Sequence, residues 1–123
     1  MLMTVDQGSK FDEGLRLLAI MEALQEAWEG MPVSVASLFI VIAQHDSRKD
    51  ALSITEAGER VGMKLASTSR NIQLLENKMG ERGSKPVALV EIKAHPSDYR
   101  RKVVQLTPKG RALYERLCNL VRA

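Results

Sequence analysis

The 123-residue sequence holds a single cysteine, Cys118, so it has no internal disulfide and no cysteine pair to grip a structural zinc. Its stability has to come from an apolar core, and 45% hydrophobic residues are enough to build one at this length. A reducing compartment suits such a chain better than secretion. Long apolar runs are missing too: the longest, Leu38 to Ala43, is far too short to span a bilayer and reads as core, so no membrane association is expected. The opening MLMTVDQGSKFDEG lacks the positive start and apolar run of a secretory leader, and the cytoplasm is the expected location. Nor is there a nucleophile with a neighbouring base or a phosphate-binding glycine loop, which argues against an enzyme. His45 beside Asp46 and Asp50 comes nearest to a ligand group, but it sits in a polar run, HDSRKD, without further donors, so neither metal nor cofactor is expected. With no internal repeat or low-complexity segment, residues 1–123 read as one domain.

What the chain does have is segregated charge. Residues 1–59 carry four Lys/Arg against ten acids, a balance of −6; residues 60–110 carry eleven against four, +7; residues 111–123 carry three against one, +2. A basic middle attached to an acidic N-terminal part fits a surface that meets phosphate on one side only, and nucleic acid is the leading partner class.

Apolar periodicity divides the chain into elements. Phe11, Leu15, Leu18, Met21, Leu24 and Trp28 recur at three and four, predicting a helix over about 10–29 that Gly30 and Pro32 stop. Leu17, Ile20 and Ala27 make its stripe wider than one partner needs, which predicts a second subunit. A second helix, about 34–44, is apolar nearly all round (Val35, Leu38, Phe39, Ile40, Val41, Ile42), as a central bundle helix should be. Together these N-terminal helices occupy 10–45.

Residues 52–79 predict two short helices across a tight turn. Ser53 or Thr55 can cap the first and Glu56 opens its first turn. Small Gly58 allows a close crossing, Gly62 makes the turn and Met63 plugs the junction. The second helix runs from about Leu65 to Met79, burying Thr68, Ile72, Leu75 and Met79. Lys64, Ser67, Arg70, Asn71 and Gln73 lie across from that face, and we count Thr68 with them as a recognition-helix residue. Arg takes guanine bidentately, Asn and Gln take adenine, and Ser takes either, so this is chemistry that reads a major groove.

From Ala88 the period changes to two. ALVEIKA and RKVVQL predict strands joined by HPSDYR, a β-hairpin wing over 88–106 that follows the helix-turn-helix directly. Tyr99, Arg100, Arg101 and Lys102 are expected at its tip, where they would enter the neighbouring minor groove and hold phosphates. Thr107 before Pro108 starts a last helix over 108–123, with Leu113, Leu117, Leu120 and Val121 on one face. The fold class is therefore mainly α with a small β-hairpin wing, a winged helix-turn-helix.

The stretch SDYRRKVVQLTPKG resembles the wing signature of the MarR (multiple antibiotic resistance regulator) family. Asp98, Arg100, Val104, Leu106, Thr107 and Gly110 fall at its spacing, GMKLASTSRNIQLLE is similar to the family's recognition helix, and the likeness covers roughly residues 50–112. It implies a sequence-specific double-stranded DNA-binding transcriptional regulator, a repressor acting as a homodimer on a pseudopalindromic operator, with Asp98 bracing a wing arginine. Two departures matter. Family members continue for two helices beyond the wing and dimerise mostly through them, whereas about thirteen residues follow Gly110 here. The dimer is therefore expected from helix 10–29 with Leu113, Leu117 and Leu120, and no small-molecule effector is predicted. Residues 79–88, MGERGSKPVA, form an insertion in which Arg82 and Lys85 are expected to reach the DNA backbone. Cys118 is expected to be an inert helix-face thiol. The same fold also serves replication, partition or protein interaction, and these stand as alternatives.

Overall fold

The computed structural model describes residues 2–78 and 86–123, with side chains from Ser9 onward. Its elements are α1 (Leu2–Ala27), α2 (Val33–Ser47), α3 (Ile54–Arg60), α4 (Leu65–Glu76), β1 (Val90–His95), β2 (Asp98–Leu106) and α5 (Pro108–Arg122). The two strands form an antiparallel hairpin, in register from Val90 opposite Leu106 to Ala94 opposite Lys102. After a shift at Ala94/His95, His95 faces Asp98, which leaves only Pro96 and Ser97 in the turn. Leu52 adds a one-residue bridge to Val104, the Val104 N–H donating to the Leu52 carbonyl at 2.8 Å.

Helix α2, apolar nearly all round from Val35 to Ile42, sits at the centre, as its sequence requires. Val35, Leu38, Phe39, Ile42 and Ala43 are fully buried, and around them gather Ala23 and Leu24 of α1, Ala57 of α3, Ile72 and Leu75 of α4, Val90, Val104 and Leu106 of the hairpin, and Leu113 and Leu117 of α5. Helix α1 differs from expectation in extent: it begins at Leu2, eight residues before Lys10, and ends at Ala27. Among its side chains from Ser9 onward, Ala23 and Leu24 are buried, backed by half-buried Ile20 and Ala27 and by Trp28 just after its end, where α5 packs and the surface pair Arg116–Glu26 at 2.6 Å joins the two helices. Phe11, Leu15, Leu17, Leu18 and Met21 are 53–70% exposed. Of the stripe read from the periodicity, Leu24 and Trp28 turn to the core, whereas Phe11, Leu15, Leu18 and Met21 face outward. On α5, Leu113 and Leu117 are buried and Leu120 is half-buried, whereas Val121 is exposed.

Helix α2 runs three residues into HDSRKD and ends in a Schellman arrangement. The Lys49 N–H reaches the Asp46 carbonyl at 3.0 Å and the Asp50 N–H reaches the His45 carbonyl at 2.9 Å, with Lys49 at φ 57°. Glycine is the residue this position favours, because a Cβ is strained in the left-handed region. Lys49→Gly is therefore expected to stabilise the domain by about 0.5–1 kcal/mol, read as a higher chemical-denaturation midpoint. An unchanged midpoint would show that the turn carries no strain.

Candidate nucleic-acid interface

The helix-turn-helix is locked at its start by a reciprocal cap. The Glu56 N–H donates to Ser53 Oγ at 3.1 Å, and the Ser53 N–H donates to Glu56 Oε1 at 3.0 Å, which selects Ser53 over Thr55 as the cap. The Ser53 backbone N–H, its hydroxyl, and then Arg101 and Arg60 hold the Glu56 carboxyl below its ordinary range. Gly62, at φ 70°, makes the turn. Gly58 is buried where α3 crosses α4: a Cβ built on it would collide with Thr68 Oγ1 and lie 3.0 Å from Thr68 Cβ and 3.1 Å from the Met63 carbonyl oxygen. The close crossing expected of Gly58 is present.

That crossing decides what α4 can offer. Thr68, grouped by sequence with the groove-reading residues, is fully buried under Gly58, and its hydroxyl donates to the Lys64 carbonyl at 2.8 Å. It cannot face DNA without leaving the core, so its role is to seat the helix. Lys64, Arg70 and Gln73 are exposed, Ser67 is half-buried, and Asn71 is half-buried with its Nδ2 on Met63 Sδ at 3.3 Å. Three polar side chains thus stand fully outward, with Ser67 and Asn71 on the flanks.

Helix α4 ends at Glu76, where Asn77 leaves the helical conformation (φ −42°, ψ 107°), and the wing is tied to that end. The Leu89 N–H donates to the Leu75 carbonyl at 2.9 Å, the Ala88 N–H to the Asn77 carbonyl at 3.0 Å, and the Ile92 N–H to Glu76 Oε2 at 3.3 Å. Sequence reasoning missed the Glu76 link, because a glutamate closing a helix gives no sign of a strand partner. Ala88 takes φ 46°, which no strand residue adopts, so β1 starts at Val90 and not at Ala88. Met79, Arg82 and Lys85 lie outside the described residues.

Tyr99, Arg100 and Arg101 have no partner on β1: they bulge between the Ala94–Lys102 and His95–Asp98 pairs, beside the Pro96–Ser97 turn at the end of the hairpin. Asp98 Oδ1 accepts from the Arg100 N–H at 3.1 Å and from Arg100 Nε at 3.5 Å. Arg101 reaches back to Glu56 Oε1 at 3.8 Å, linking wing to cap. Tyr99 is 83% exposed, and Lys102 is exposed as well.

The remaining polar clusters serve the scaffold. Arg60 NH1 donates to His45 Nε2 at 3.1 Å, joining α3 to α2, and Asp46 accepts from the Leu106 N–H and from Arg111 Nε, both at 3.3 Å. Among the described residues no three His, Cys, Asp or Glu side chains converge as metal ligands, and no helix is long and apolar enough to cross a membrane. Cys118 is a free, half-buried thiol on α5.

Cap, crossing, outward helix and braced hairpin define a winged helix-turn-helix protein. Solved structures share the fold. MepR of Staphylococcus aureus, in complex with DNA, has a TM-score of 0.59 at 16% identity over 98% of this chain and 82% of its own. The transcriptional regulator BldR of Sulfolobus solfataricus has a TM-score of 0.55 at 19% identity over 98% and 76%. CouR of Rhodococcus jostii, bound to p-coumaroyl-CoA, has a TM-score of 0.59 at 24% identity over 89% and 67%. These neighbours are winged-helix transcriptional regulators of the MarR family, whose wing signature this sequence resembles. At such identities the likeness establishes the fold. No family model and no curated protein matches the chain by sequence.

Proposed function

We propose that the chain is a non-enzymatic, sequence-specific regulator of transcription in the cytoplasm that binds double-stranded DNA as a homodimer and represses by occupying a pseudopalindromic operator. The observation that carries this reading is α4: a helix seated by Thr68 on Gly58, presenting Lys64, Arg70 and Gln73 outward, with a hairpin bearing Arg100 and Lys102 tied to its end. Lysine and arginine supply salt-dependent hold on phosphate, while arginine and amide side chains supply base preference. The MepR–DNA complex supports the DNA partner by likeness of fold. Selection of bound fragments from random DNA tests it. A palindrome with half-sites about one helical turn apart is expected, and failure to enrich any sequence would remove the proposal.

The dimer is supported by α1. Phe11, Leu15, Leu17, Leu18 and Met21 expose a run of large apolar side chains that a lone protomer leaves in water. Leu18→Glu, at an exposed site that leaves the core intact, is expected to give a folded monomer by light scattering and to weaken operator binding about a hundredfold or more, since each half-site then binds alone. Unchanged mass would place the dimer elsewhere.

A further inference from the structure

Among the described residues of the helix-turn-helix segment the large apolar side chains are buried or half-buried, with one exception. Leu52, Ile72 and Leu75 are buried; Ile54, Val61, Met63 and Leu74 are half-buried; Leu65 is 57% exposed. It is the first residue of α4, directly after Lys64, and its neighbour Ala66 is also exposed. Helical side chains tilt toward the N-terminus, so Leu65 overhangs the leading end of the helix. That end is the one a recognition helix brings to base edges.

At 57% exposure Leu65 adds little to its own core and leaves apolar surface open to a partner at this end of the helix. The same surface carries Lys64 and Arg70 within the +7 segment, which repels a second copy of this face and attracts a polyanion. In the major groove the apolar group a base presents is the 5-methyl of thymine. We infer that Leu65, assisted by Ala66, reads a thymine methyl group and is a specificity-determining residue. This rests on the proposal that α4 enters the groove. Leu65 removes water from the methyl, while Arg70 and Gln73, a turn or more along the helix, address neighbouring bases through hydrogen bonds.

The test uses the full chain and the duplex recovered by selection, with each thymine replaced in turn by deoxyuridine, which lacks only that methyl. At one position per half-site, affinity is expected to fall about three- to fivefold, the scale of burying one methyl-sized group. Leu65→Ala is expected to abolish the difference between thymine and uracil at that position, and Leu65→Met to keep it. Both variants alter an exposed side chain, and circular dichroism would check their folding. If the wild-type protein ignores every substitution, or if Leu65→Ala discriminates as well as wild type, the inference is overturned while the DNA reading stands. If no duplex is enriched or bound, both fall together.

Discussion

Replacing Gly110 by alanine is expected to destabilise the domain by about 3 kcal/mol or more and to lower its melting temperature by roughly 10 °C or more. The sign is opposite to that of an ordinary helical position, where the same change stabilises by up to about 1 kcal/mol. Gly110 lies in the first turn of α5, its N–H on Thr107 Oγ1 at 3.0 Å, and a Cβ there would run into the Leu89 carbonyl oxygen and lie 3.0 Å from the Leu89 carbonyl carbon. That backbone cannot yield. The Leu89 N–H is held by the Leu75 carbonyl at 2.9 Å, and its own carbonyl accepts from the Thr107 N–H at 3.1 Å, so moving it breaks the join of α4, wing and α5. Gly58→Ala is expected to do less harm, because the atom it meets first belongs to a side chain, Thr68 Oγ1. Thr68→Ala in the same chain should restore part of the loss, and the double-mutant coupling would measure how tightly α3 and α4 cross. A Gly110→Ala protein that melts like wild type would mean that α5 does not start against Leu89.

Much of this frame is legible in the sequence wherever one local signal has one physical cause. Thr107–Pro108 marks a helix start because its cap and fixed φ act within a few residues, and the small side chain at Gly58 marks a crossing because little else tolerates one. Periodicity alone does worse. On α1 it finds an apolar face but cannot say what covers it, and the face from Phe11 to Met21 is outside while Ala23 and Leu24 are inside. Thr68 illustrates the same limit within the site, where a residue able to bond a base is used to bond the Lys64 carbonyl. The Arg101–Glu56 and Ile92–Glu76 contacts cross 45 and 16 positions of sequence, with no spacing rule to announce them. Gly110 belongs to a recognisable signature, yet the reason for it, the nearness of Leu89, becomes visible only in three dimensions.

The basic residues divide by what already holds them, and this division sets the second large effect. Arg100 Nε lies 3.5 Å from Asp98 and Arg101 lies 3.8 Å from Glu56, so each has an acidic partner on the protein's own surface. Arg70 stands exposed on α4. Arg70→Ala is expected to lower affinity for the selected duplex about 10- to 100-fold, the worth of one bidentate contact, and to relax preference at a single base pair while binding to unrelated DNA hardly changes. Arg70→Lys should keep the salt dependence but not the preference, because an ammonium retains the charge and loses the planar fork. Arg100→Ala should weaken all sequences alike and reduce the slope of log affinity against log salt by about 1, as loss of a phosphate contact does. Glu56→Gln preserves the cap through an amide oxygen but releases Arg101, so a change in salt slope there would show that the ion pair withholds a charge from DNA in the free protein. The decisive comparison is Arg70 against Arg100 on matched and unrelated duplexes. Equal losses on both duplexes from both substitutions would mean that α4 meets DNA as charge alone and that sequence is read elsewhere.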